Sequence, residues 1–293
     1  MFRYAVVTPA RDEEENLPRL AESLALQTVL PEAWAIVENG SSDRTREVAE
    51  ELAAAYPWIV LCSSRGSGVA ERGAPIVRAF TAGLRVVGQR ADIVVNVDAD
   101  VSMDPDYFER LLAEFAADPR LGIASGSALE EVDGAWVKRF VTGGTVWGAT
   151  RAYRRACLED VLPLEERHGW DGLDQLRARS RGWRTRTIPD LEFRHHRREG
   201  ARDASRVAHW RACGESAHYM GYRTWYLLAR AAHNARREPA ALAMILGFLD
   251  AAARRAPRYP DEAARQRLRR DQSVRKLLRR RREALGLEAP VGE

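Results

Sequence analysis

The feature that most constrains the fold of this chain is the apolar run at residues 91–97, which ends in Asp98-Ala99-Asp100. A short, nearly continuous apolar run is typical of a buried parallel strand. Ligands of open α/β sheets bind beyond the carboxyl ends of such strands, and the two carboxylates follow directly there. Paired carboxylate oxygens suit Mg²⁺ or Mn²⁺. The Asp-x-Asp pattern alone also fits an ordinary surface turn, so the surrounding sequence must decide.

Strands and helices alternate through the first hundred residues. Strands are expected at residues 4–9, 33–37, 58–62 and 93–97, and amphipathic helices follow Asp12 and Asp43 and cover residues 72–87. Asp12 and Asp43 fit N-cap positions, because a short polar side chain there accepts a hydrogen bond from the first helical turn. The alternation predicts an α/β fold with a mostly parallel sheet flanked by helices on both faces.

Several segments resemble, in order and spacing, the nucleotide-sugar half of family 2 glycosyltransferases. These segments are residues 8–17, residues 37–43, residues 98–100, residues 169–174 and residues 194–197. Similar segments occur in glucosyl-3-phosphoglycerate synthases and polyprenyl-phosphate mannosyltransferases. The resemblance covers about residues 4–200 and implies a GT-A fold, in which a Rossmann-like nucleotide-sugar-binding and catalytic domain at residues 1–200 is fused to an acceptor-binding region.

The resemblance implies a metal-dependent, inverting transfer of a sugar from a nucleotide-diphosphate sugar to a hydroxyl acceptor. Synthesis of cell-surface polysaccharide, glycolipid or a related glycoconjugate is the expected setting. A sugar nucleotidyltransferase would share the sheet and the acids, but it would open with a glycine-rich phosphate loop, which residues 8–11 do not form. A non-catalytic nucleotide-sugar-binding protein would lose the acids near residue 171, which this chain retains.

The resemblance also assigns contacts with the nucleotide sugar. The loop around the nucleoside is expected to include Thr8, Pro9, Ala10, Arg11 and Glu13. Glu38 and Asn39 match paired acids, commonly Asp-Asp, that contact the base. Asn39 departs from that pattern, and because an amide both donates and accepts, UDP, GDP and dTDP all stay open. Arg72 is expected against the diphosphate, with a surface cation at a helix start as the alternative.

The expected cofactor is Mn²⁺ or Mg²⁺, which would neutralise the charge of the diphosphate leaving group. Asp98 and Asp100 are both expected to serve this cation; in the resembling enzymes the second acid usually contacts the metal directly, while the first lies near the ribose. Those enzymes supply a histidine ligand at the position of His195 or His196. The alternative for the two histidines is an exposed loop among arginines.

A general base is expected near residue 171. Inverting relatives carry an acid about eleven residues before a Gly-aromatic pair, and counting back from Gly182-Trp183 leads to Asp171. Asp174 lies three residues further, on the same face of a helix. A carboxylate at this place can accept the proton of the acceptor hydroxyl. The alternative is that Asp171 caps the helix that runs to residue 181.

Residues 201–293 are predicted to form a helical, basic C-terminal extension. They carry 20 Arg or Lys against 10 Asp or Glu, an excess of ten positive charges in a chain of net charge +4. Residues 261–282 read as one strongly basic helix. A solvated face and contact with an anionic membrane surface are the main interpretations, and nucleic acid is disfavoured because aromatic residues do not alternate with the charges. Aromatic residues at positions 210, 219, 222, 225 and 226 are expected to pack these helices or to stack on an acceptor.

The sequence predicts a cytoplasmic protein with a peripheral contact at the inner face of the plasma membrane. Cys62, Cys157 and Cys213 are odd in number and far apart, which argues against a disulfide framework or a zinc site. No signal-like segment precedes the first strand, and the longest apolar run is too short to span a bilayer.

Overall fold

The computed structural model describes residues 2–64, 73–87, 91–139, 144–197 and 205–284. Within these ranges nine strands form one sheet: β1 (Tyr4–Ala10), β2 (Ala33–Glu38), β3 (Ile59–Ser63), β4 (Ile93–Val97), β5 (Val101–Met103), β6 (Leu121–Val132), β7 (Ala135–Lys138), β8 (Thr150–Arg154) and β9 (Arg184–His195). Their order is β3-β2-β1-β4-β8-β6-β9-β5, and β7 pairs with β6. The strands β3, β2, β1 and β4 run parallel, and β8 is antiparallel to both of its neighbours.

Helices cover both faces of this sheet and form the C-terminal part of the described chain. They are α1 (Asn16–Ala25), α2 (Thr45–Ala55), α3 (Ala74–Val87), α4 (Tyr107–Ala117), α5 (Arg155–Val161), α6 (Trp170–Ser180), α7 (Arg206–Met220), α8 (Thr224–Ala235), α9 (Ala243–Ala253), α10 (Glu262–Asp271) and α11 (Val274–Ala284). Neighbouring residues of β1 belong to different cores: Val6 packs with Trp34 and Phe108, and Val7 packs with Phe80. This is the period of two expected when a strand is covered on both faces. The predicted α/β architecture is confirmed.

The start of α1 differs from the prediction, because Asp12 is not its N-cap. Asp12 has a left-handed φ of 54°, and its carboxylate accepts a hydrogen bond from the Ser42 backbone N–H at 2.7 Å. The side chain therefore joins the loop after β1 to the loop after β2, and α1 begins later, at Asn16. The predicted N-cap of the next helix also differs, because Arg44 rather than Asp43 holds that position; the Asp43 carboxylate, one residue earlier, still accepts from the backbone N–H of Thr45 at 2.9 Å.

The predicted single basic helix at residues 261–282 is two helices. α10 ends at Asp271 and α11 begins at Val274. Gln272 is buried at the break, where its side-chain oxygen accepts from the Arg223 backbone N–H at 2.8 Å. This hydrogen bond to the residue before α8 stabilises the break between α10 and α11. None of the helices in the described ranges is long and apolar enough to cross a membrane.

The C-terminal helices pack closely on one another and on the sheet domain. A Cβ atom on Gly214 of α7 would lie 2.0 Å from the backbone oxygen of Met244 in α9, so the crossing of these two helices leaves no room for a side chain. Tyr259 is 1% exposed, and its hydroxyl accepts from Nε of Arg177 in α6 at 2.6 Å. The extension thus shares a core with α6. The proposed domain boundary at residue 200 lies outside the described residues.

Candidate functional site

Three possible metal ligands meet at the carboxyl end of β4. One ligand atom from each of Asp98, Asp100 and His195 lies within 4.8 Å of the other two. Asp98 and Asp100 follow β4 directly, and His195 arrives from the end of β9, which pairs with β5 at Val101. His195 Nε2 lies 3.4 Å from Oδ1 of Asp100. We call Asp98, Asp100 and His195 the acidic cluster.

The two adjacent histidines have different surroundings, because His195 is the last residue of β9 and His196 lies in the bend that follows. His196 is exposed, and its Nε2 lies 2.8 Å from the hydroxyl of Ser102, away from the acidic cluster. Arg197 returns to the same side as His195, where its guanidinium lies 3.6 Å from Asp100. The same guanidinium makes two hydrogen bonds, of 3.0 and 2.8 Å, to the carboxylate of Glu13. Of the two predicted histidines, the structure therefore brings only His195 to the acids.

The electrostatics of the acidic cluster are those of crowded carboxylates. Burial, together with the neighbouring charge of Asp100, raises the pKa of Asp98 to about 6. Burial also acts to raise the pKa of Asp100, but the hydrogen bond from His195 and the charge of Arg197 outweigh it, so this pKa is lowered. Burial lowers the pKa of His195, yet its bond to Asp100 leaves the net pKa raised. The cluster therefore gathers negative charge that a cation would compensate.

The donor set of the acidic cluster fits a divalent cation. Two carboxylates suit Mg²⁺ and Mn²⁺, and an imidazole nitrogen is acceptable to first-row transition metals. Asp98 is oriented for this role by Asn96, whose amide donates to Asp98 Oδ1 at 3.2 Å and to the Gly148 carbonyl at 3.1 Å. Such hydrogen bonds from outside the ligand set fix the direction of a ligand carboxylate.

Of the residues predicted for the nucleoside loop, Thr8, Pro9 and Ala10 belong to the end of β1, and only Arg11 and Glu13 follow the strand. Thr8 is buried, and its hydroxyl accepts from Nε1 of Trp34 at 2.9 Å, so this side chain supports the sheet. Pro9 and Ala10 continue β1, while Arg11 is exposed beyond the strand. Glu13 is buried, and its backbone N–H donates to Thr45 at 2.6 Å.

Glu38 and Asn39 lie beside that loop, at the end of β2. Ala10 and Glu38 are partners in the register of β1 and β2. The Glu38 carboxylate accepts from the Ser41 backbone N–H at 2.6 Å and pairs with Arg46 at 2.9 Å, while Asn39 accepts from the hydroxyl of Ser64 at 3.0 Å. Arg72, the predicted diphosphate contact, lies outside the described residues.

A cleft of about 1470 Å³ leads away from the acidic cluster. It starts at Asp98 and His195, passes Asp171, and ends among side chains of the C-terminal helices. The aromatic residues predicted to pack or to stack divide between those roles: Trp210, Tyr222 and Tyr226 line the cleft, and Tyr219 packs against Tyr259. The positions of the nucleoside loop, Glu38 and Asn39 are not part of this lining.

Asp171 and Asp174 have different environments, although both belong to α6. Asp171 lies in the first helical turn, lines the cleft, and is not the cap, because Gly169 holds that position with a left-handed φ of 80°. Asp174 is buried beneath, where Arg151 contacts its two oxygens at 2.6 and 3.0 Å and Tyr153 donates a short hydrogen bond. Burial raises the pKa of Asp174 to about 6 despite this ion pair.

Arg151 ties the ion pair to the walls of the cleft. It is fully buried and donates to the backbone carbonyls of Val146, at 2.9 Å, and Asp171, at 2.7 Å. Asp174 therefore lies outside the cleft and acts through Arg151, which holds the start of α6 and the loop before β8. Sequence reasoning missed Arg151, Arg197 and two cleft-lining arginines, Arg230 of α8 and Arg237 just after it. Of these, only Arg197 could have been found from the sequence, because it lies two residues after His195, a predicted metal ligand.

Comparison with known proteins adds a family match. The model of the family described as "Glycosyl transferase family 2" matches residues 5–160. The polyprenol monophosphomannose synthase of Mycolicibacterium smegmatis is 34% identical over 145 residues, which are 49% of this chain and 48% of that protein. The chain spans half or less of the length of this and several other curated relatives that it matches.

Two solved structures share the fold at low sequence identity. The mannosyltransferase PcManGT of Pyrobaculum calidifontis, in complex with GDP-Man and Mn²⁺, aligns with a TM-score of 0.57 at 18% identity over 99% of this chain and 81% of its own. Residues 1–349 of TarS from S. aureus, in complex with UDP-GlcNAc, align with a TM-score of 0.52 at 18% identity over 72% of this chain and 64% of theirs. These likenesses confirm the predicted GT-A type of α/β fold.

Proposed function

This chain belongs to glycosyl transferase family 2, and on that premise we propose that it transfers a sugar from a nucleotide-diphosphate sugar to a hydroxyl acceptor with inversion at the anomeric carbon. The observation that carries the proposal is that one cleft is lined both by Asp171 and by Asp98 and His195 of the acidic cluster. The acidic cluster would hold the cation that neutralises the diphosphate leaving group, and Asp171 would accept the proton of the acceptor hydroxyl.

The donor would be held between the acidic cluster and the ends of β1 and β2. Asp98, Asp100 and His195 would hold Mn²⁺ or Mg²⁺, which supplies charge neutralisation for the departing diphosphate. The PcManGT complex contains GDP-Man and Mn²⁺ and the TarS complex contains UDP-GlcNAc, which supports a nucleotide-sugar donor for this chain as well. Glu38 and Asn39 are proposed to contact the base.

Asp171 is proposed as the general base. Its carboxylate accepts the proton of the acceptor hydroxyl while the acceptor oxygen forms a bond to the anomeric carbon. The bond between that carbon and the diphosphate oxygen breaks on the opposite side, and its electron pair leaves with the nucleoside diphosphate. Because the hydrogen bond from Arg151 goes to the backbone carbonyl of Asp171, it fixes the residue without occupying the carboxylate.

A thermal-shift panel tests the donor part of this proposal. UDP-, GDP- and dTDP-sugars are each added to the whole chain with and without Mn²⁺, and the melting temperature is recorded. A ligand that binds only the folded state stabilises it by about 2.7 kcal/mol at a hundredfold excess over its Kd. We expect one nucleotide class to raise the melting temperature, and to do so only with the cation. Failure of every nucleotide sugar to shift the transition would contradict the proposal.

Contact with an anionic membrane surface is proposed for α10 and α11. Arg270 and Arg275 are exposed there, beside Val274 and Leu278, which are 61% and 56% exposed. A basic residue near an anionic lipid surface contributes about 1 kcal/mol of attraction, which salt screens. The name of the Mycolicibacterium smegmatis relative, a polyprenol monophosphomannose synthase, agrees with a lipid setting.

Charge reversal measures this contact. The double variant R270E/R275E is expected to bind vesicles of phosphatidylglycerol at least about tenfold more weakly than the unmodified chain at low salt, since each reversal replaces attraction by repulsion. The matched control is R85E/R120E, because both arginines are exposed and lie elsewhere, Arg85 on α3 and Arg120 in the turn before β6. Equal loss in both double variants would mean that net charge, rather than this surface, governs binding.

A further inference from the structure

One face of α8 and the turn after it form a wall of the cleft. Tyr226, Arg230, Asn234 and Arg237 recur at spacings of four, four and three residues and all line the cleft. Tyr226, Arg230 and Asn234 share one side of α8, and Arg237 lies in the turn that follows the end of the helix at Ala235. The adjacent positions Leu227 and Ala231, which are 1% and 0% exposed, anchor the helix in the core. We call Tyr226, Arg230, Asn234 and Arg237 the α8 face.

The two arginines of the α8 face lack carboxylate partners within the described part of the chain. Arg230 donates to the hydroxyl of Tyr222 at 3.0 Å, and its guanidinium carbon lies 5.9 Å from the centre of that ring. Other cleft arginines do have acidic partners: Arg206 pairs with Glu238 at 2.5 Å, for example. The α8 face therefore presents two positive charges that the described residues do not neutralise.

Charged side chains of both signs line the cleft. Glu130 pairs with Arg139, Glu238 with Arg206 and Asp271 with Lys276, so these carboxylates already have cationic partners other than the arginines of the α8 face. The donor diphosphate belongs with the acidic cluster and its cation, and the nucleoside positions at β1 and β2 lie outside the cleft lining. The positive charges of the α8 face are thus left for another molecule in the same cleft.

We propose that the α8 face binds a phosphate monoester carried by the acceptor. A phosphate monoester bears a charge of about −2 near neutral pH, which matches two guanidinium groups. Guanidinium groups form paired hydrogen bonds to phosphate oxygens, and Tyr222 and Tyr226 offer ring surface beside them. The phosphate is a handle here, while a separate hydroxyl of the acceptor faces Asp171. The identification of the ligand as the acceptor rests on the proposed function. Binding of a phosphate monoester at the α8 face does not.

Calorimetric titration with phenyl phosphate tests the site without any turnover. We expect phenyl phosphate to bind the unmodified chain and benzyl alcohol, its uncharged analogue, not to bind. Arg230→Gln and Arg237→Gln are each expected to weaken phenyl phosphate by about tenfold, because each removes one charged hydrogen-bonding partner. Arg236→Gln is the matched control, since Arg236 is exposed at the same end of α8 but does not line the cleft. It should leave the affinity unchanged.

Two results would overturn the site. One is equal affinity of the unmodified chain and Arg237→Gln, whose native side chain makes no described ion pair that could be needed for folding. The other is absence of phenyl phosphate binding while nucleotide sugars still bind, which would leave the proposed function standing. Conversely, arginine-dependent binding of phenyl phosphate in a chain that binds no nucleotide sugar would refute the function and keep the anion site.

Two further probes distinguish a soluble phosphate ester from a lipid-linked one. Glycerol 3-phosphate represents a soluble ester, and phosphatidylcholine vesicles containing phosphatidic acid represent a lipid. Binding of the first that is lost in Arg230→Gln indicates a soluble acceptor, and loss confined to the vesicles indicates a lipid-linked one. Retention of both probes in the Arg230→Gln and Arg237→Gln variants would contradict the proposal.

Discussion

Asp100→Ala is expected to abolish the cation-dependent part of nucleotide-sugar binding. Asp100 is 8% exposed and faces both His195 and Arg197, so its carboxylate is placed to hold the cation that joins the protein to the diphosphate. Without it, adding Mn²⁺ to a saturating nucleotide sugar should no longer raise the melting temperature. Titration of Mn²⁺ alone should show the same loss, which makes the result independent of turnover.

The matched control for that variant is Asp104→Ala. Asp104 lies four residues further along the chain, is 62% exposed in its side chain, and pairs with Arg194 at 3.0 Å outside the acidic cluster. Its removal should leave Mn²⁺ affinity as it is. If Asp100→Ala keeps the full cation dependence, the acidic cluster is not the metal site.

Asp171→Asn is expected to lower turnover by about a hundredfold or more while the affinity for the donor stays the same. This is the usual scale for loss of a general base. Asparagine keeps the shape of the side chain, and the Asp171 carbonyl still accepts from Arg151, so the start of α6 should remain in place. Single-turnover rates and donor titrations on the same protein separate the two quantities. A product that retains the donor's anomeric configuration would contradict direct displacement.

Asp174→Asn should have a different signature, which makes it the comparison for Asp171. It leaves the buried guanidinium of Arg151 without its anionic partner, and breaking such a pair costs about 3–5 kcal/mol of the free energy of unfolding. Chemical denaturation should therefore register Asp174→Asn strongly and Asp171→Asn weakly. If turnover depends on Asp174 while stability does not, the base has been assigned one helical turn too early.

The sheet was predictable because its strands are buried on both faces and therefore lie in nearly continuous apolar runs. Residues 93–97 and the acids that follow them show this most clearly. The structure places the acids at the carboxyl end of β4, where ligands of such folds bind. His195 and His196 could not be separated by adjacency in sequence. Their separation follows from the register of β9 against β5, which places His195 opposite Val101 at the end of the strand, and that register depends on tertiary pairing.

Other parts of the site carry no local signal. Asp171 rather than Asp174 faces the cleft because Arg151 of β8 forms a buried ion pair with Asp174. Periodicity on a short helix allows both to share a side, but it does not say which is buried. The α8 face could not be predicted either, because the same pattern of tyrosine and arginine occurs on a solvated helix and on the wall of a cleft.

The bond between Arg197 and Glu13 joins residues 184 positions apart in the chain. One guanidinium thereby touches a carboxylate of the acidic cluster and the loop that follows β1. A cation that repositions Asp100 would be felt by Arg197 and, through it, by the loop around the nucleoside. Affinities for cation and nucleotide are then linked, and each ligand must change the affinity for the other by the same factor. Loss of a cation that favours nucleotide binding would accordingly weaken nucleotide binding by that factor, and Arg197, two residues beyond the end of β9, is the residue through which we expect the two sites to be coupled.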